Sequence, residues 1–271
     1  MYRIGWFSTG RDEAARDLLT AAVEAIQKGE IKAKIDFIFC SREPGESPES
    51  DSFIKQVRSY GLPLVCYSYQ KFKAARQADT SASGGFPGWR LTYDREVMDR
   101  LKDFNPDLCV LAGYMLIVGP EMCTRYNMIN LHPAAPGGPT GTWQEVIWQL
   151  IEQKAERTGV MMHLVTPELD RGPVVSYCIF GIRGGRFDAL WQKVDGKSIP
   201  DMKKTEGERN ALFKLIREEG LKREFPLIIT TIKAFSEGKV RVATGKVLDA
   251  RGKIIPGYDL SSEIDTQVSR A

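Results

Sequence analysis

Apolar residues along the chain alternate between two spacings, and that alternation is the first clue to its architecture. Tyr2–Phe7 is a short apolar run of strand type. After Ser8-Thr9-Gly10, residues Ala15, Leu18, Leu19, Ala22, Val23 and Ile26 recur at steps of three and four, which places them on one face of a helix. Ile35–Cys40 reads as the next strand, Glu43–Ser52 as a loop carrying two prolines and four acids, Ser52–Tyr60 as a helix and Leu62–Tyr67 as a third strand. Ala78–Gly88, rich in Ser, Gly and Ala, reads as a mobile surface excursion. The alternation then resumes with helix Tyr93–Phe104, strand Leu108–Ala112, short helix Pro120–Tyr126, strand Met128–Leu131, helix Trp143–Glu156 and strands Val160–Val165 and Val174–Ile182. Such alternation predicts an α/β fold, a mostly parallel sheet flanked by helices.

Past Gly181 the texture changes. Gly184–Thr205 is polar and reads as an irregular insertion, Glu206–Glu219 and Phe225–Phe235 as two helices, Lys239–Val242 as a strand, and Gly245–Ala271 as mostly extended or loose. With no internal repeat, the simplest division is one main domain, residues 1–242, and a C-terminal extension, residues 243–271.

Composition narrows the setting. The chain has 271 residues, 42% hydrophobic and 27% charged, with a net charge of +3 and no basic stripe, so a nucleic-acid partner is not implied. The longest apolar run, Leu108–Gly119, is broken by Gly113 and is too short to span a bilayer; the opening residues lack a signal-peptide plan, so no membrane role is expected. Cys40, Cys66, Cys109, Cys123 and Cys178 are scattered without metal or redox spacing, as in the reduced core of a cytoplasmic protein. Only two histidines occur, His132 and His163, both in the most motif-like region.

That region carries the candidate chemistry. Asn130 and His132, two apart on an extended segment, point the same way at the end of an expected parallel strand, where open α/β sheets place ligands. An amide donor beside an imidazole suits an oxyanion forming on a carbonyl carbon. Asp170, in the turn before Gly172-Pro173, would favour the imidazolium if brought near His132. Read alone, each of these motifs is ordinary. His163, inside an apolar run, reads as a core histidine that orders the site.

In this order, Asn-X-His-Pro at 130–133, Gly-X-X-X-His-X-Val at 159–165 and Glu-Leu-Asp-X-Gly-Pro at 168–173 resemble the formyltransferase family that uses 10-formyltetrahydrofolate. Within it, the branch acting on glycinamide ribonucleotide (GAR) in purine synthesis is most similar. The resemblance implies a Rossmann-like fold and makes Asn130, His132 and Asp170 the catalytic set, with no metal. It places main-chain groups of Met115, Leu116, Ile117 and Val118 against the pterin, Thr166, Glu168 and Leu169 on the opposite wall, and Arg90, from Arg90-Leu-Thr-Tyr93-Asp94, near the folate tail. For the acceptor it implies a phosphorylated small-molecule amine held by the Ser8, Thr9, Gly10, Arg11, Asp12 turn at a helix N-terminus, with Gly113 and Pro133 close by, and it admits a homodimer.

The departures fall mostly on the acceptor side. The family's Gly-Ser-X-Ser-Asn-type phosphate turn is here Ser8–Asp12, a serine expected after the histidine is Ala134, a pterin-loop arginine is Leu116, and an acidic residue expected to meet the amine falls at Leu221, with Glu218, Glu219 and Glu224 nearby. A different acceptor such as a nucleotide amino sugar, formyltetrahydrofolate hydrolysis, and a non-catalytic folate- or nucleotide-binding module remain the competing readings. A dinucleotide-binding oxidoreductase is disfavoured because no Gly-X-Gly-X-X-Gly follows the first strand.

Overall fold

The two spacings resolve into one eight-stranded sheet with helices on both faces. The structure is a computed structural model describing residues 1–76, 82–83, 86–168 and 170–270. Its first half runs β1 (Tyr2–Ser8), α1 (Glu13–Gln27), β2 (Ala33–Cys40), α2 (Pro48–Ser59), β3 (Leu64–Cys66), α3 (Tyr69–Ala75), the paired β4 (Ala82–Ser83) and β5 (Phe86–Pro87), α4 (Gly88–Arg100), β6 (Leu108–Leu111), α5 (Pro120–Arg125) and β7 (Met128–His132). The rest is α6 (Trp143–Glu152), β8 (Arg157–Leu164), β9 (Val174–Gly181), α7 (Asp188–Val194), α8 (Ile199–Thr205), α9 (Ala211–Ser236), the hairpin β10 (Val240–Ala243) and β11 (Lys246–Asp249), β12 (Tyr258–Asp259) and α10 (Ser261–Val268).

The sheet order is β12-β9-β8-β7-β6-β1-β2-β3. Its pairings are parallel except those of β8, which runs antiparallel to both β7 and β9. Strand alternation sends neighbouring residues to opposite layers. Trp6 joins a core with Leu19 of α1, Phe53 of α2 and Ile228 of α9, while Phe7 joins an aromatic core with Phe37, Phe39, Tyr93 and Tyr114.

Three regions differ from the reading of the sequence. Gly184–Thr205 is not irregular: α7 and α8 bury Trp191, Val194 and Met202 against α6 and the first half of α9. Polar residues dominate its composition, but these three join Phe187 in one buried cluster, with Leu190 and Ile199 packed against it. The two expected late helices are one, α9, which continues through Pro226. A mid-helix proline removes a hydrogen bond and usually breaks the helix; here Leu227, Ile228 and Ile232 are buried beyond it and tertiary packing carries the helix on. The stretch after Gly245 is also more ordered than expected. Val247, Leu260 and Ile264 are buried, β12 pairs with Ser176 and Tyr177 of β9, and Ser261 Oγ accepts the Ile179 N–H at 2.9 Å.

Smaller shifts have local causes. α4 ends at Arg100 rather than Phe104 because the chain must turn before Pro106. α6 ends at Glu152, and Lys154 takes a left-handed φ of 51° just beyond. Most of the excursion expected over Ala78–Gly88 lies outside the described residues.

Candidate active site

β6 and β7 lie side by side, and the loops after both open into one cavity of about 630 Å³. After β6 the chain turns sharply at Gly113, whose φ of +69° favours glycine. Thr9 ties this turn to β1: its N–H donates to Gly113 O at 3.1 Å and its hydroxyl accepts the Met115 N–H at 3.0 Å. From the other side Arg90 Nε donates to Ile117 O at 2.8 Å and Asp94 Oδ2 accepts the Gly119 N–H at 2.7 Å. Arg90 and Asp94 are themselves paired, both almost fully buried. Burial raises the Asp94 carboxyl, opposed by the Arg90 charge beside it. The loop bearing Met115–Val118 is thus clamped at Met115, Ile117 and Gly119, and the Leu116 peptide groups have no partner among the described residues.

Asn130 and His132 both line the cavity, as expected for alternate residues of β7. Asn130 sits directly across from His163 on the antiparallel β8. The two imidazoles lie 6.4 Å apart between ring centroids, nearly perpendicular, and each is oriented by a main-chain carbonyl: His132 Nε2 on Pro139 O and His163 Nδ1 on Leu164 O, both at 2.9 Å. A carbonyl only accepts, so these two ring nitrogens carry the protons. The remaining nitrogens face one carboxylate, with His132 Nδ1 3.7 Å from Asp170 Oδ2 and His163 Nε2 3.5 Å from Asp170 Oδ1. Neither contact is a well-formed hydrogen bond, and His163 Nε2 is buried without a hydrogen-bond partner. The neighbouring His163 imidazole above all, together with the His132 charge, holds the Asp170 carboxyl below the usual carboxylate range against the effect of burial.

Asp170 reaches this position through a left-handed backbone, φ 55°, which a non-glycine residue adopts at a cost of about 1–3 kcal/mol. Two residues on, Gly172 packs so closely that a Cβ would lie 1.7 Å from Leu164 O. Only glycine fits there, and the carboxylate is fixed by backbone geometry as well as by its partners.

The other sequence-derived positions divide. Met115, Leu116, Ile117, Val118, Thr166, Gly113, Pro133 and Asp12 line the cavity. Leu169 lies outside the described residues. Glu168 is exposed and outside the lining; its carbonyl accepts the Thr166 hydroxyl and closes the turn. Arg90, expected near a ligand tail, is 4% exposed, lies outside the lining and holds the loop from behind. Ser8 and Thr9 are buried, and Ser8, Thr9, Gly10 and Arg11 are not in the lining. The Gly10 N–H donates to Ser8 Oγ, Arg11 turns to Asp12 Oδ2 at 3.3 Å, and Asp12 Oδ1 caps α1 by accepting the Ala15 N–H at 3.0 Å.

Glu145, which the sequence did not single out, and Glu224, singled out only as an acid near the Leu221 position, also line the cavity. Glu145 belongs to the capping box of α6, and the Thr142 N–H and hydroxyl hold its carboxyl below the usual range. Glu224, 7% exposed and paired with Arg217, lines the cavity, whereas Leu221 is exposed on α9 outside the lining. Its signal was available: on the continuous helix, Gly220, Glu224, Leu227 and Ile228 share the buried stripe, and an acid there is conspicuous.

The chain matches the model of the formyl transferase family over residues 17–179, more than half its length. It is 32% identical over 194 residues to the phosphoribosylglycinamide formyltransferase of Schizosaccharomyces pombe, covering 69% of this chain and 86% of that one. It is 29% identical over 164 residues to the Escherichia coli (strain K12) protein of the same name, covering 58% of this chain and 64% of that one. The solved phosphoribosylglycinamide formyltransferase of Coxiella burnetii superimposes with a TM-score of 0.66 over 95% of this chain and 98% of that one, at 19% identity, a likeness of fold. With the sheet order and cavity described above, these matches show that the chain belongs to the formyl transferase family of enzymes.

Proposed function

We propose that the chain transfers the formyl group of 10-formyltetrahydrofolate to a primary amine, with Asn130, His132 and Asp170 as the catalytic set. The observation that carries this reading is the convergence of His132 and His163 on Asp170, beside Asn130, inside the cavity of a formyl transferase. The cavity suits the donor's heterocycle: Met115, Ile117 and Val118 supply apolar wall, the free peptide groups of Leu116 supply a donor and an acceptor, and Thr166 closes the other side.

In the reaction the neutral amine attacks the formyl carbon, the carbon–N10 bond breaks, and one proton passes from the attacking nitrogen to N10. Charge collects on the formyl oxygen on the way. The Asn130 amide is one donor to it. His132 is the other: Pro139 O fixes a proton on Nε2, so Nδ1 carries one only in the cationic ring, and the 3.7 Å gap to Asp170 leaves that N–H uncommitted. Asp170 favours the cation and relays protons through water. The groups that do this are side chains, and no cluster of three or more His, Cys, Asp or Glu able to hold a metal occurs among the described residues.

The relatives carry GAR in their names, which makes GAR the reference acceptor and purine synthesis the reference setting. Five unpaired cysteines fit a reducing, cytoplasmic location, and no helix of the described residues is long and apolar enough to cross a membrane.

The test is formyl transfer from 10-formyltetrahydrofolate to GAR and a panel of other amines, in parallel with binding of a folate analogue. His132→Ala and Asn130→Ala should each lose about 10²–10³ in turnover while still binding the analogue. Transfer to none of the amines would defeat the proposal, and formate release without an amine would turn it into hydrolysis.

A further inference from the structure

We infer that the acceptor amine bears no phosphate where it meets α1, and that the body it presents there is neutral or cationic. This rests on the formyl-transfer reading and narrows its substrate class.

A phosphate held at a helix N-terminus needs free main-chain amides and a positive field. The first condition is met only in part, and the second is opposed by the acids of the turn. The Thr9 N–H is engaged by Gly113 O, the Gly10 N–H by Ser8 Oγ and the Ala15 N–H by the Asp12 carboxylate, while the amides of Arg11, Asp12, Glu13 and Ala14 have no partner among the described residues. Asp12 is followed by Glu13, so the first turn of α1 already carries its own anions. The second helix whose N-terminus lines the cavity, α6, is closed in the same way, by Thr142 and Glu145.

Side-chain charge points the same way. The charged groups among the described lining residues are Asp12, Glu145, Asp170 and Glu224, and no lysine or arginine is among them. Arg11 is turned onto Asp12 outside the lining, and Arg217 is paired with Glu224. A phosphate dianion entering beside α1 meets like charge with no cation to neutralise it. An uncharged body avoids that cost, and a cationic one is attracted, provided the attacking amine itself is neutral.

The balance of the transfer is unchanged: the amine nitrogen gains the formyl carbon, N10 of the donor loses it, and one proton moves between the two nitrogens.

The test uses amines in matched pairs that differ only by a phosphate, beginning with GAR and its dephosphorylated riboside, with an α,ω-diamine as a cationic member. With 10-formyltetrahydrofolate as donor, kcat/KM for the phosphate-free member should exceed that of its partner by about tenfold or more. Inorganic phosphate should not compete with the acceptor. Asp12→Asn keeps the helix cap, since Asn and Asp cap equally well, and should narrow the preference by improving the phosphorylated member. A preference for the phosphorylated partners, or competition by inorganic phosphate, overturns the inference and leaves formyl transfer standing. Transfer to no member of any pair overturns the parent reading, and this one with it.

Discussion

His163 Nε2 stands 3.5 Å from Asp170 Oδ1, slightly nearer than any nitrogen of His132 comes to that carboxylate. The acid is therefore shared between two imidazoles, only one of which belongs to the proposed catalytic set. His163 is in this respect a positioning residue, which sets the charge of Asp170 so that Asp170 can support His132.

The sharing has a pH signature. Because the folded Asp170 carboxyl is depressed, its contribution to stability is complete above the unfolded value of about pH 4 and is lost as pH falls through the lower folded value. His163→Gln removes the foremost cause of the depression. The folded value then climbs toward the ordinary one, and the acid limb of kcat/KM moves to higher pH. A profile measured from about pH 3 to 7 checks this; an acid limb that stays in place means His163 does not govern the carboxylate.

Gly172 offers a test of backbone placement. A methyl group there lies 1.7 Å from Leu164 O, so Gly172→Ala must push the Asp170 turn away from the histidines. A misplacement on the order of 1 Å can cost about 10² in rate, and that is the expected loss in turnover. Gly181→Ala, where a methyl group meets nothing within 4 Å, is the matched control and should keep nearly full activity.

The buried pair behind the Met115–Val118 loop gives a stability prediction. Arg90→Met leaves the Asp94 carboxylate buried beside a neutral side chain, and should destabilise the fold by about 3–5 kcal/mol in denaturant unfolding. Adding Asp94→Leu should recover part of that loss. The double variant should nevertheless bind a folate analogue more weakly, because Ile117 O and Gly119 N–H lose their anchors.

These cases show what the sequence could and could not convey. Asn130, His132 and Asp170 stood out because three motifs in a fixed order resemble one family, and the structure brings them around one cavity. The parallel sheet was legible through the alternation of spacings. The acceptor side was not, because its character is set by which hydrogen bonds win. Nothing in the string Ser8–Asp12 says that Thr9 turns to Gly113, or that Asp12 caps α1. His163 read as a core histidine because its apolar neighbours on β8 are visible, whereas the β8–β9 connection that returns Asp170 to it is a tertiary event. Trp191 and Met202 were hidden among polar residues, and Pro226 divided in the sequence a helix that packing holds together.

The pairing of β12 with Ser176 and Tyr177, and of Ser261 with Ile179, has a consequence for solubility. Without them β9 would present a bare row of amides and carbonyls along the rim of the sheet, an invitation to strands of other chains. The segment from Tyr258 to Ser261 thus acts as a guard against aggregation, covering the outer strand of the hairpin whose loop carries Asp170.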